Sequence, residues 1–404
     1  MMKKALTLVL AGVTALSLTA CGGGASASAT TAPAPAAGGE TKDDEAKAPE
    51  KDVKTTTLKL AFNQSEKHPQ YLALSEMSDA FYEATGGAYR IEISPNELLG
   101  SQKDAFELVQ SGTIQMAMVA NSIVENVNPD FAVLGLPYAY DSVEHQKKVF
   151  TSGALDDIFA STEANNFSVM AAFTAGARCI YTDKPVQTPA DLKGYKIRVM
   201  ESQTCIAMLD AMGGVGTPMA QGEVYTAIQQ GVINGGENNE ITYADLKHYE
   251  VAPYFSYTRH LMIPDLLVMN TATLKGMSEE DQQTLKDLCK EYTEREFQLW
   301  DENLEGAKKT AEEAGAQFID VDIAPFQEAC QPVIDNVTSK SEGAKALYEE
   351  IRSLANEQGF VESGVMTHGI SKENPGQDYR MGMCGTIGCH DNPGDLPGCC
   401  EILL

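Results

Sequence analysis

The sequence predicts an α/β fold built from two domains. From residue 55 onward, short apolar segments with strand character alternate with longer segments of helical periodicity, which is typical of α/β units. The 404 residues provide enough chain for two domains with sizeable cores. The hydrophobic content of 43% favours a folded protein over a disordered one.

The first half of the folded part alternates three strands with two helices. In chain order, these elements are predicted at 55–63, 69–85, 88–95, 101–112 and 114–120. Gly86-Gly87 marks the end of the first helix, because glycine adopts the left-handed conformation common at helix ends. Ser101 is placed to cap the second helix through its hydroxyl.

The second half repeats this style and adds one long helix. Strand-like segments are predicted at 167–182, 195–200 and 266–274. The helical pattern from 277 to 315 begins with Ser278 as a candidate cap. At about 1.5 Å per residue such a helix reaches roughly 54 Å, so it is long enough to run across two domains.

One strand carries a charged residue at its centre. In "YKIRVM", Tyr195, Ile197 and Val199 share one face of a period-2 alternation, and Arg198 lies on the other face. A guanidinium is always charged and presents five donors, so a half-buried one requires an anion. That anion is either an acidic side chain of the protein or a ligand.

The first 54 residues predict a secreted, lipid-anchored protein. Residues 1–20 have a basic start followed by an apolar run, as in a signal peptide. "LTAC" then resembles a bacterial lipobox, which predicts that Cys21 is lipidated and becomes the mature amino terminus. A plain secretory signal or an anchor helix is the alternative. Residues 21–54 lack aromatic side chains and predict a disordered tether.

The tail at 360–404 differs from the rest of the chain. It is rich in glycine, shows no periodicity and contains four of the nine cysteines: Cys384, Cys389, Cys399 and Cys400. A metal site or disulfides are open interpretations, but the spacing matches no standard zinc pattern. An unstructured extension is the favoured one.

Composition excludes several classes of function. Lys and Arg total 30 against 57 Asp and Glu, a formal charge of −27, which is unsuited to nucleic acids or to an anionic membrane surface. We find no G-x-S-x-G, H-E-x-x-H or Walker motif, and the six histidines show no metal-ligand spacing. The chain is therefore expected to be neither an enzyme nor a metal or cofactor protein.

Five phrases in register resemble one protein family. They are "GTIQMA", "FAVLGLPYAY", "PADLKGYKIRV", "GTPMAQGEVYTAIQQGVINGGENN" and "MSEEDQQ", and the resemblance covers roughly residues 56–359. The sequence resembles the DctP-like solute-binding proteins of TRAP transporters. Such proteins bind small organic acids outside the cytoplasm and deliver them to a separate membrane permease driven by an ion gradient.

The resemblance implies a two-lobed clamp of the periplasmic-binding-protein type, with the ligand in the cleft and a long helix spanning both lobes. Lobe I would comprise 55–176 plus 262–302, and lobe II 177–261 plus 303–359. The protein is expected to be a monomer on the extracytoplasmic face of the cell membrane, anchored at Cys21.

The resemblance also implies ligand-binding residues. Arg198 aligns with the arginine that grips the ligand carboxylate, and the planar fork of a guanidinium suits two parallel hydrogen bonds to that group. Arg178 aligns with a second arginine of the cleft, with a structural salt bridge as the alternative. Asn238 in "GGENN" matches an amide that meets the ligand from the opposite side. Asn239 stands where the family commonly has proline.

Four further residues are candidates for ligand contact, two of them, Asn63 and Gln221, at positions where family members often meet their ligand. They are Asn63, Gln221, Asn121 and His68. His68 has an alternative role at the start of a surface helix, because it precedes Pro69.

The family positions favour a sugar acid such as a hexuronate. The sialic-acid branch carries a charged pair after the third strand, where this chain has Asn121-Ser122. A hexuronate would use one carboxylate on Arg198 and amides for its hydroxyls, whereas a C4-dicarboxylate would use both arginines. Binding of a dicarboxylate or hydroxy acid, or a role in sensing rather than transport, stays as an alternative.

Overall fold

The computed structural model describes residues 54–355, which form two mixed β-sheets covered by helices. The strands are β1 (Thr56–Ala61), β2 (Tyr89–Ser94), β3 (Met116–Ala120), β4 (Phe167–Phe173), β5 (Arg178–Thr182), β6 (Lys196–Val199), β7 (Val215–Pro218), β8 (Gly235–Asn238), β9 (Tyr254–Leu261), β10 (Asp265–Asn270) and β11 (Gln317–Ile319). The first sheet has the order β2-β1-β3-β10-β4 and the second β11-β9-β5-β8-β6-β7.

Helices connect the strands throughout. They are α1 (Pro69–Ala84), α2 (Gln102–Gln110), α3 (Asn121–Val124), α4 (Val143–Thr151), α5 (Asp156–Ala160), α6 (Gln203–Ala211), α7 (Val224–Gln229), α8 (Glu240–Asp245), α9 (Thr271–Lys275), α10 (Glu279–Glu313), α11 (Ala324–Thr338) and α12 (Glu342–Ser353). Short 3₁₀ helices lie at Pro129–Gly135, Ser161–Asn165, Pro189–Leu192, Gln221–Glu223 and His248–Glu250. None of the helices within residues 54–355 combines the length and the apolar character needed to cross a membrane.

Lobe I is built on the first sheet. Strand β1 runs parallel to β2 and β3, and β10 runs antiparallel to β3 and β4. Met116 and Met118 of β3 pack on one face with α1 and α10, while Ala117 and Val119 pack on the other face with α2. Both faces are therefore buried, which explains the continuous apolar run of β3.

Lobe II is built on the second sheet. Strand β5 lies antiparallel to β8 and β9, and β6 runs parallel to β7 and β8. Ile197 and Val199 of β6 join an apolar cluster with Met208 and Leu209 of α6. The predicted alternation of β6 is confirmed, because Arg198 points away from this cluster toward the cavity described below.

Two short linkers, 174–177 and 262–264, carry the chain between the sheets. The strand-like segment at 167–182 therefore divides between the two lobes, because it contributes β4 to one sheet and β5 to the other. The break occurs at Gly176, which has a φ of +62° and lies against the indole of Trp300. The strand predicted at 266–274 also ends early, because Asn270 caps α9 by accepting the Thr273 N–H at 2.9 Å.

Helix α10 spans both lobes, as predicted. Its 35 residues pack against α1 and β4 of lobe I and against α8 of lobe II. Ser278 caps it, since its Oγ accepts the Asp281 N–H at 3.0 Å and donates to the Asp281 carboxylate at 2.7 Å. Ser101 caps α2 in the same way, with its Oγ 3.2 Å from the Asp104 nitrogen.

The end of the described chain departs from the expected division into lobes. The expected lobe II includes 303–359, and Phe326 and Cys330 in α11 do pack in the lobe II core. Val337 near the end of α11 and Ile351 of α12 instead join the lobe I core. Helix α11 therefore crosses back between the lobes, and α12 packs on lobe I.

Candidate functional site

A cavity lies between the two lobes and contains most of the charged and amide side chains singled out above. The cavity is partly open to solvent. Its lining comprises Gln64, His68, Glu97, Ser101, Gln102, Ala120, Ser122, Ile123, Ala175, Arg178, Arg198, Met200, Glu201, Ala220, Gln221, Asn238, Asn239 and Asp265. Both lobes contribute, so closure of the lobes would enclose a molecule held there.

Arg198 presents a free guanidinium to this cavity. The residue is only 5% exposed, and its Nε donates to the Met219 carbonyl oxygen at 2.9 Å. Within residues 54–355, no carboxylate lies within ion-pair distance of Arg198, and its Nη atoms have no hydrogen-bond partner. Burial lowers the pKa of Arg198, and the neighbouring charge of Arg178 lowers it further, against the opposing effect of Glu237. A buried cation in this state favours binding of an anion.

Arg178 also lines the cavity, but its guanidinium is already paired. Its Nε and Nη2 donate to the two carboxylate oxygens of Glu237 at 2.5 and 2.8 Å. Its Nη1 donates to Asn238 Oδ1 at 2.9 Å. The two partners lie on adjacent antiparallel strands, β5 and β8. These contacts of Arg178 fit the alternative interpretation, in which it forms a structural salt bridge.

Glu237 is held ionised by this pair. Burial by itself raises its pKa, but Arg178 and His260 together lower it by more, so that the pKa falls from 4.5 to about 2. His260 Nε2 lies 3.6 Å from the same carboxylate, and burial lowers the pKa of His260. Arg178 and Glu237 thus neutralise each other in the wall of the cavity.

Asn238 offers a donor to the cavity. Its Oδ1 accepts hydrogen bonds from Arg178 and from the Asn239 backbone, while no described residue accepts from its Nδ2. Asn239, at the position where proline was expected, caps α8 by accepting the Thr242 N–H at 2.8 Å. Its Nδ2 also donates to the Ala175 carbonyl at 2.9 Å, so this loop is fixed by side-chain hydrogen bonds.

His68 lies in the cavity wall and is buried, so its placement on a surface helix is wrong. It does cap α1, because its Nδ1 accepts the Gln70 N–H at 3.4 Å. Burial lowers the pKa of His68 to about 3, which makes the ring neutral at physiological pH. Since Nδ1 is an acceptor, the proton is on Nε2, and this atom is buried with no partner among the described residues.

Gln221 joins the two lobes across the cavity. Its Nε2 donates to Gln64 Oε1 at 3.0 Å, and its Oε1 lies 3.4 Å from the amide nitrogens of Gln64 and Asn63. The structure places Gln64 in the lining and leaves Asn63 behind it. The strand alternation ends at Ala61, so the sequence offered no signal for choosing between these two neighbours.

Asn121 does not reach the cavity. Its side chain is fully buried and donates from Nδ2 to the Phe131 carbonyl at 2.8 Å. The next residue, Ser122, lies in the lining instead. The reason is that α3 begins at Asn121 directly after β3, so helical geometry sets which side chain faces the cleft.

Three acidic residues of the lining were not predicted from the sequence: Glu97, Glu201 and Asp265. Burial raises the pKa of Asp265 to about 6, although its Oδ2 accepts a hydrogen bond from Gln70 at 2.9 Å. The sequence contains 57 acidic residues, and no pattern distinguishes these three from the others. Cys21, the expected lipidation site, lies outside the described residues.

Known proteins share this architecture. A TRAP periplasmic solute-binding protein from Anaerococcus prevotii, solved with bound α/β-D-glucuronate, is 36% identical with a TM-score of 0.73, covering 76% of this chain and 100% of that protein. The corresponding protein from Xanthobacter autotrophicus, solved with β-D-galacturonate, is 31% identical with a TM-score of 0.71, covering 73% of this chain and 99% of that one.

Sequence comparisons agree with the structural ones. The uncharacterized protein YiiZ of Salmonella typhimurium is 34% identical over 304 residues, which is 74% of this chain and 92% of that protein. The family model described as bacterial extracellular solute-binding protein, family 7 (DctP), matches residues 60–341. This chain therefore belongs to the DctP family of extracellular solute-binding proteins, the binding components of TRAP transporters.

Proposed function

We propose that this protein captures a hexuronate, such as glucuronate or galacturonate, and delivers it to a TRAP membrane permease. The observation that carries the proposal is the guanidinium of Arg198, which is buried in an inter-lobe cavity without a carboxylate partner among the described residues. A ligand carboxylate would complete this ion pair with two parallel hydrogen bonds. The similar structures that hold glucuronate and galacturonate support this ligand class.

Other groups in the cavity suit a polyhydroxylated acid. Asn238 Nδ2 and His68 Nε2 are donors without protein partners in the described part of the chain. The amides of Gln64 and Gln221 offer both donors and acceptors. Buried polar groups left unpaired are costly, so hydroxyls of a sugar would stabilise them.

A dicarboxylate is the weaker candidate. It would need both arginines, but Arg178 is already neutralised by Glu237 through two hydrogen bonds. Displacing Glu237 would leave a fully buried carboxylate without its counter-ion. A ligand with a single carboxylate requires no such rearrangement.

Purified protein should be stabilised against heat by D-glucuronate or D-galacturonate and much less by succinate, malate or N-acetylneuraminate. A ligand at 100 times its Kd adds about 2.7 kcal/mol to the free energy of unfolding, which differential scanning fluorimetry detects readily. Calorimetric titration of the responding acids then gives their affinities. Stabilisation by the C4-dicarboxylates alone would refute the hexuronate proposal.

A binding role fits the chain better than catalysis. Burial raises the pKa of the Cys179 thiol beside Arg178, which is the opposite of what an activated nucleophile requires.

The protein would act as a monomer, and the choice between transport and sensing depends on its membrane partner. Neighbouring genes for two integral membrane subunits would favour transport, whereas an adjacent kinase gene would favour sensing.

The amino-terminal motif supports anchoring at Cys21 on the outer face of the cell membrane. A Cys21→Ala variant should lose its lipid and leave the membrane fraction, while its affinity for the ligand stays unchanged. Fractionation of cells and mass spectrometry of the mature amino terminus check this. Continued membrane association of the variant would contradict anchoring at this residue.

A further inference from the structure

Glu97 lines the cavity from a loop whose backbone conformation is unusual. Asn96 and Glu97, in the loop after β2, both have left-handed conformations, with φ values of 57° and 55°. Such a conformation is disfavoured for a residue other than glycine, because the Cβ atom comes too close to the following carbonyl oxygen. Two hydrogen bonds hold it, from Asn96 N to the Gln64 carbonyl at 2.9 Å and from Glu97 N to the Phe62 carbonyl at 3.2 Å. Strain maintained by surrounding contacts is characteristic of functional positions.

The Glu97 carboxylate has an unused acceptor. Its Oε1 is buried and has no hydrogen-bond partner among the described residues. Its Oε2 lies against Gly222 of lobe II, where a Cβ atom would come within 2.5 Å of it. Burial raises the pKa of Glu97, while Arg198 and the Gly222 amide oppose this effect. A ligand hydroxyl would supply the donor that Oε1 lacks.

The charges that line the cavity can neutralise only one carboxylate of a ligand. The two cations of the lining are Arg178 and Arg198, and Glu237 neutralises the first. The three acids Glu97, Glu201 and Asp265 line the same space. A second carboxylate on the ligand would therefore find no free cation among the described residues that line the cavity. It would instead be repelled by the carboxylate of Glu97.

We propose that Glu97 is a specificity-determining residue that accepts a hydrogen bond from a hydroxyl of the bound sugar acid and excludes its dicarboxylate counterpart. This inference rests on the proposed hexuronate function and explains how the same site rejects diacids of similar size. Rejection arises from like charge and from a hydroxyl acceptor that a second carboxylate cannot satisfy.

The test compares D-glucuronate with D-glucarate, which carries a second carboxylate, in calorimetric titrations. Wild-type protein is expected to prefer glucuronate by about 100-fold or more, as expected when a like charge must be buried. Glu97→Gln keeps the shape but removes the charge, so it should weaken glucuronate roughly tenfold and reduce the preference at least about tenfold. Glu92→Gln, which removes an exposed charge from the preceding strand β2, is the matched control and should change neither affinity.

Glu97→Asp provides a second variant if Glu97→Gln folds poorly. It keeps the charge and withdraws it from the ligand, so it should weaken glucuronate while still excluding glucarate. A merely structural role for Glu97 would weaken both acids alike, and an unchanged preference in Glu97→Gln would overturn the inference. Tight glucarate binding by the wild type would overturn it as well. If the wild type binds no hexuronate at all, the proposed function fails and the inference fails with it.

Discussion

Arg198→Ala is expected to remove detectable hexuronate binding while leaving the unliganded protein folded. Losing a charge-assisted contact in an enclosed site costs on the order of 2–5 kcal/mol, which is tens to thousands of times in affinity. The free energy of unfolding should change by no more than about 1 kcal/mol, because Arg198 makes a single hydrogen bond, to the Met219 carbonyl. Calorimetric titration and urea unfolding measure the two effects separately.

Two variants sharpen this prediction. Arg198→Lys keeps the charge but loses the planar fork, so binding should weaken without vanishing. Arg90→Ala removes an exposed arginine that pairs with Asp79 and should leave the affinity unchanged. Normal binding by Arg198→Ala, or its failure to fold, would contradict the assignment.

The second large effect is expected in stability, from the Arg178–Glu237 pair. Glu237→Gln leaves the Arg178 guanidinium buried without its counter-ion, and breaking a buried pair costs about 3–5 kcal/mol. Urea unfolding at pH 7 should show this loss. The double variant Arg178→Met/Glu237→Gln should lose less than the sum of the two single variants, because the partners interact directly.

The pH dependence has a defined sign. Because the pKa of Glu237 falls from 4.5 to about 2 in the folded protein, its contribution to stability is present above pH 4.5 and is lost as the pH falls toward 2. The difference in the free energy of unfolding between the wild type and Glu237→Gln should shrink over that range.

If Arg178→Met kept full stability and lost only binding, Arg178 would be a ligand residue instead of part of the framework.

Periodicity was sufficient to predict the elements from β1 to β3, the long helix α10, and strand β6 with the orientation of Arg198. Local patterns also located α10 with its Ser278 cap, because capping depends on residues only three apart. Packing between distant segments was beyond such patterns. The return of α12 to lobe I depends on where Ile351 finds apolar partners, which no local pattern records.

The candidate site was predictable only in part, for the same reason. Sequence places two arginines near the cleft, but only the structure shows that Glu237, 59 residues after Arg178, neutralises one of them. Gln64 and Ser122 line the cavity in place of their neighbours Asn63 and Asn121, because a strand ends or a helix begins there. The position of Glu97 in the cavity wall depends on its left-handed backbone conformation, which a glutamate in the sequence does not predict.

The central claim is that the unpaired guanidinium of Arg198 anchors the carboxylate of the solute. Calorimetric titration of wild-type and Arg198→Ala protein with D-glucuronate and its neutral amide, D-glucuronamide, tests it most directly. The wild type should prefer the acid by about 100-fold or more, and Arg198→Ala should bind the acid no better than the amide, with neither binding detectable. Equal binding of acid and amide by the wild type, or a preference that survives in Arg198→Ala, would contradict the claim.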